Sequence, residues 1–168
     1  MSDIQLVRIT HVVTEKVLIV SGDVLGSKEK CSVSAFPGAS PVVRERGKWQ
    51  WNIMPNSGEL HGFLNTFSNG RLWFGEHDEQ ADARAAITIS NGDGIDTYSI
   101  VAEPLGNDTY FLKWNSGQVA WDNYGHIGDG YLFVYPDTGN GESRVFWARK
   151  EDHLADIDSF KFQIKPAS

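Results

Sequence analysis

One short pattern comes round three times in this chain, and nothing else in the sequence limits the possible folds as much. Residues 9–20 (ITHVVTEKVLIV), 63–74 (FLNTFSNGRLWF) and 111–121 (FLKWNSGQVAW) each read as a strand, a short polar turn and a second strand. The second and third share Phe-Leu, an aromatic, a Ser/Asn/Gly turn and alternating apolar residues; the first shares the pattern alone. A second recurrence closes each unit: residues 49–55 (WQWNIMP), 98–104 (YSIVAEP) and 160–166 (FKFQIKP) each begin with an aromatic and end with Pro. Between hairpin and closing strand stand SVSAF (32–36), AITIS (86–90) and YLFVY (131–135), each followed by turn formers. Alternation bounded by Gly, Pro, Asn or Asp is the mark of half-buried strands. A fixed internal period implies one supersecondary unit built repeatedly.

The chain of 168 residues therefore divides into three units of four strands, about 1–58, 59–107 and 108–168, within one domain. That length is enough to bury a core without disulfides. The 17 Gly and 6 Pro stand as punctuation between short apolar runs, which suits a turn-rich all-β protein. Only the closing loop of the third unit departs, by a long insertion at 137–159 whose segment 147–158 (WARKEDHLADID) predicts one or two helical turns.

Three four-stranded units with an aromatic at the head of each fourth strand resemble the β-trefoil superfamily. A barrel closed by hairpins would leave few unpaired strand edges. A β-sandwich and an up-and-down barrel compete, but neither predicts a threefold recurrence. The resemblance implies that Trp49 or Trp51, Tyr98, and Phe160 or Phe162 are symmetry mates in the core.

Several function classes lose support at this stage. The net charge of −7 argues against a general nucleic-acid binder. No apolar run, residues 17–20 among them, is long enough to span a membrane. The start MSDIQLVRIT lacks the pattern of a secretory signal, and Cys31 alone can make no internal disulfide, so the expected location is the cytoplasm or release without a signal peptide. On that expectation the sequon Asn107-Asp108-Thr109 goes unused. No nucleophile elbow, phosphate loop, zinc-protease helix or dinucleotide fingerprint is present, so the chain is not expected to be an enzyme and no cofactor is implied. Cys31 beside SVSAF reads as a small buried hydrophobe before a nucleophile. Residues 91–96 (NGDGID) read as a turn before a calcium loop, and His77, Asp78 and His126 lack partners at metal spacing.

The richest polar and aromatic cluster is Trp114 and Asn115, then Trp121, Asp122, Asn123, Tyr124 and His126. Sugar recognition needs a flat aromatic face for the C–H side of a pyranose, with Asp, Asn or His to pair with its hydroxyls. Trp121 is expected to close a strand, and the polar run after it to form a surface turn. The corresponding place in the second unit offers Trp73, then Glu76, His77 and Asp78; in the first, Asp23 follows without an aromatic. The competing reading makes both Trp residues core and the acids solubilising turns. Shallow single sites bind at about mM to μM, so avidity calls for two sites or a homodimer.

β-Trefoils include ricin-type lectins, leaderless mushroom lectins and the small mushroom protease inhibitors called mycocypins. The ricin-type Gln-x-Trp is missing: Gln50 lies between Trp49 and Trp51. Classical ricin-type sugar sites therefore do not carry over, and the resemblance implies a divergent lectin binding glycans or glycoproteins. The mycocypin resemblance implies a protease partner met by exposed loops, with Asn69 and Arg71 at one tip and Arg44 and Arg46 in the loop 38–48. Residues 28–48 carry +3 against −10 for the rest of the chain. This basic segment would suit an acidic partner or an anionic glycan, and equally an edge guarded by Lys and Arg.

Overall fold

The computed structural model describes residues 6–24, 27–38, 41–53, 60–78, 83–90, 100–114, 130–135 and 141–167. Twelve strands run β1 (Leu6–His11), β2 (Lys16–Val24), β3 (Ser27–Pro37), β4 (Trp49–Ile53), β5 (Leu60–Asn65), β6 (Gly70–Asp78), β7 (Ala83–Ser90), β8 (Ile100–Gly106), β9 (Thr109–Trp114), β10 (Gly130–Val134), β11 (Ser143–Ala148) and β12 (Lys161–Pro166). A short helix α1 (Pro41–Arg46) precedes β4, and a 3-10 segment (Lys150–Phe160) precedes β12.

The pairings close a ring. β1 pairs with β4, β4 with β5, β5 with β8, β8 with β9, β9 with β12 and β12 with β1, all antiparallel. The other six strands form hairpins β2–β3, β6–β7 and β10–β11. These hairpins join one another through β3–β7, β7–β11 and β11–β3. A six-stranded barrel capped by a triangle of hairpins is all-β and removes most free edges.

The core follows from alternation. Val7 and Ile9 on β1, Leu112 and Trp114 on β9, and Phe162 and Ile164 on β12 point inward and join Trp49, Phe63 and Trp147 in the main cluster. Two indoles tie strands across it: Trp49 Nε1 donates to the Leu18 carbonyl and Trp147 Nε1 to that of Trp73, both at 3.1 Å. Of the expected symmetry mates, Trp49 and Phe162 are in this cluster, Phe160 is in a second, Trp51 packs at the margin, and Tyr98 lies outside the described residues.

The third unit corrects the expectation. Residues 137–159 are not all insertion, because Ser143–Ala148 form β11 and pair with Tyr131–Val134 of β10. YLFVY is thus the first strand of the cap hairpin rather than its return, and helical geometry starts at Lys150, not at Trp147. The physical reason is double burial. Leu132, Val134, Val145 and Trp147 face the main core, while Tyr131, Phe133, Phe146 and Ala148 face a second cluster with Phe160 on the 3-10 segment. With both faces covered, alternation no longer marks the strands.

Candidate functional site

The third-unit cluster Asn115, Trp121, Asp122, Asn123, Tyr124 and His126 lies outside the described residues, as does the turn 91–96. Its neighbour Trp114 is described and is corrected: at 1% exposure, inside the main cluster, it has no ring face for a sugar. The residue ends β9 in register with Gly130 and shares the inward face with Leu112.

In the second unit Trp73 is half-buried and packs against the main cluster. The run after it is not a surface turn. Beyond a register shift between Phe74 and His77, β6 continues, with His77 opposite Arg84 and Asp78 opposite Ala83. Such a bulge re-aims the side chains that follow it. The side chains of Glu76, His77 and Asp78 themselves lie outside the described set.

The two loops expected to face a protease come together in one surface. The turn between β5 and β6 carries Phe67, 44% exposed, and Asn69, also exposed and left-handed at φ 55°. Asn65, fully buried beneath it, accepts the Phe67 and Ser68 backbone N–H groups on Oδ1, both at 3.0 Å. Its Nδ2 donates to the Arg46 carbonyl at 2.9 Å. The Thr66 backbone N–H reaches the Lys48 carbonyl at 3.0 Å, and the Arg46 guanidinium lies 4.2 Å from the Phe67 ring centroid. Sequence reasoning missed Asn65, because the carbonyl it bonds, that of Arg46, stands 19 positions away.

Arg44 is exposed on α1. Arg71 is not at the tip: its Nη1 donates to the Gly62 carbonyl at 2.9 Å, and burial lowers its pKa. The exposed residues of the turn are therefore Thr66, Phe67 and Asn69. Cys31 is buried on β3. Among the described residues no three of His, Cys, Asp and Glu gather to hold a metal, and no helix is long and apolar enough to cross a membrane.

No family model matches this chain, and no curated protein matches its sequence. Solved structures do match its fold. The designed 3-fold symmetric protein ThreeFoil is similar at TM-score 0.63 and 17% identity, covering 96% of this chain and 99% of its own. The SDF2-like protein from Arabidopsis thaliana gives 0.67 and 11%, with 98% and 94% covered. The Rhizoctonia solani agglutinin gives 0.60 and 8%, with 98% and 96% covered. All three have β-trefoil-type folds, and the closed ring with its hairpin triangle gives this chain the same fold.

Proposed function

We propose that this chain is a single β-trefoil domain of three four-stranded repeats that binds glycans without catalysis, at surface sites on its second and third repeats. The observation that carries the reading is the course of β6. The half-buried Trp73 is seated on the core, and a bulge then carries the strand on through Glu76, His77 and Asp78. An aromatic followed by acid and imidazole is the composition a sugar subsite uses. The fold likeness to an agglutinin supports the same reading, and Trp121, Asp122, Asn123, Tyr124 and His126 repeat the composition in the third unit. A glycan array probed with wild type, Asp122→Ala and Glu76→Ala tests it. At least one glycan should be retained by the wild type and weakened about tenfold by Asp122→Ala, the cost of one lost charge-assisted hydrogen bond. No glycan above background overturns the reading.

The ordered β5–β6 turn favours a second reading, inhibition of a protease of the kind mycocypins resist. A tip held before binding loses little entropy on docking. The Asn65 bonds to Phe67, Ser68 and Arg46 hold this one. Assays against papain-like, legumain-like and trypsin-like proteases, with Asn69→Ala and Phe67→Ala as variants, decide it. Inhibition of none of the three classes removes it.

A further inference from the structure

We infer that Tyr135 and His153 form a saccharide subsite where the 3-10 segment meets the third cap hairpin. Tyr131, Phe133 and Tyr135 alternate along one face of β10 and its end, the face turned away from the main core. The 3-10 segment covers the first two and leaves Tyr135 44% exposed. Its ring is braced edge-on by Phe133 at 5.8 Å and 76° and by Phe146 at 5.0 Å and 71°. The backbone leaves helical values at His153, φ −136° and ψ 37°, and the half-buried imidazole stacks on Phe133 at 4.6 Å and 29°. Two rings of different elements thus stand on one buried phenyl ring.

Neither ring uses its polar atoms internally: among the described residues the Tyr135 hydroxyl and the His153 ring nitrogens make no hydrogen bond. Both groups combine a flat apolar surface with a donor and an acceptor, the chemistry a saccharide uses, with C–H groups on an aromatic face and hydroxyls to the polar atoms. Because the rings are fixed by packing, binding costs little side-chain entropy. The ligand class rests on the glycan reading above; the site is separate from the residues proposed there.

The test uses the full chain on the same glycan array, followed by titration of whichever array glycan gives the strongest signal. Tyr135→Ala should weaken its binding about tenfold and Tyr135→Phe about threefold, since the second keeps stacking and loses one hydrogen bond. His153→Phe, which preserves the stack on Phe133, should weaken it about threefold while leaving the melting temperature near that of the wild type. If Asp122→Ala weakens a bound glycan and none of these three variants does, this inference falls and the glycan reading stands. If the wild type binds no glycan, both fall.

Discussion

His11 and Asn65 stand at the same point of two different hairpins, and each stitches its turn to the segment entering another barrel strand. The Glu15 backbone N–H returns to the His11 carbonyl at 2.8 Å and that of Asn69 to the Asn65 carbonyl at 2.9 Å. Glu15 and Asn69 are both left-handed, at φ 61° and 55°. Each anchoring side chain accepts the backbone N–H three residues on, at His11 Nδ1 (3.4 Å) and Asn65 Oδ1 (3.0 Å). Each then reaches a distant carbonyl, His11 Nε2 to Ser159 at 2.8 Å and Asn65 Nδ2 to Arg46 at 2.9 Å. The next backbone N–H completes the likeness, Val12 to the Lys161 carbonyl and Thr66 to that of Lys48, both at 3.0 Å. An imidazole and a carboxamide serve alike because each can offer one donor and one acceptor.

Only one of the two titrates. Burial, with the nearby Lys16 charge adding to it and the Ser159 bond opposing, lowers His11 from 6.5 to about 4. The neutral Nε2–H tautomer satisfies both Ser159 and the Thr14 contacts, so protonation at Nδ1 removes an acceptor. Between these values the unfolded chain binds a proton that the native chain refuses. Stability is thus fully present above the unfolded value and falls as the pH drops towards 4, by about 3 kcal/mol. His11→Asn should cost about 1–2 kcal/mol at neutral pH and remove this loss. Urea unfolding of both proteins from about pH 7.5 to pH 4 checks it; a constant difference across that window would clear His11 of the effect.

Asn65→Ala strips three hydrogen bonds from a fully buried position and leaves the Arg46 carbonyl without its amide donor. A loss of about 2–3 kcal/mol follows from unsatisfied buried groups. Amide exchange at Phe67 and Ser68 should accelerate more than at β5, because their shared acceptor is gone. Unchanged exchange at both amides would mean that the side chain does not hold the turn.

The hairpin at 63–74 was legible because β6 alternates and Ser68, Asn69 and Gly70 mark the turn that enters it. The trefoil followed from the recurrence of such pairs. β11 was not legible: it packs apolar residues against two clusters, and the charged run after Trp147 imitates a helix start. Trp114 looked like part of a site because Asn115 follows it, yet the two-residue period of β9 turns it inward with Leu112. Asn65 was invisible for a different reason. Its role depends on the Arg46 carbonyl, 19 positions away, and no local pattern reports that meeting.

Gly47→Ala should lower the melting temperature through backbone crowding. A Cβ there would lie 2.7 Å from the Val43 carbonyl oxygen, which already accepts the Gly47 N–H at 3.0 Å to close α1. The Val17 and Ile19 side chains, at 3.3 and 3.4 Å, can shift; the carbonyl cannot without opening the helix. Overpacking of this kind costs about 1–3 kcal/mol. Adding Val17→Ala should therefore fail to restore the lost stability, and full rescue in a melting experiment would place the strain on the side chain instead.

The last prediction concerns what keeps the 3-10 segment on the hairpin. Lys150 Nζ sits 4.3 Å from the Phe111 ring centroid and 4.2 Å from that of Tyr131, and these two rings meet edge-on at 5.8 Å. The ammonium is thus held by two ring faces, at the end of the segment opposite Phe160. Lys150→Met keeps the aliphatic packing and removes the charge, so it should cost about 0.5–1 kcal/mol. Lys150→Glu sets a carboxylate against the same electron-rich faces and should cost more. Protease cleavage within residues 150–160 reads the local opening directly. It should rise from wild type to Met to Glu while global unfolding shifts far less. Equal cleavage of Met and Glu variants would show that the rings recognise the chain's bulk rather than its charge.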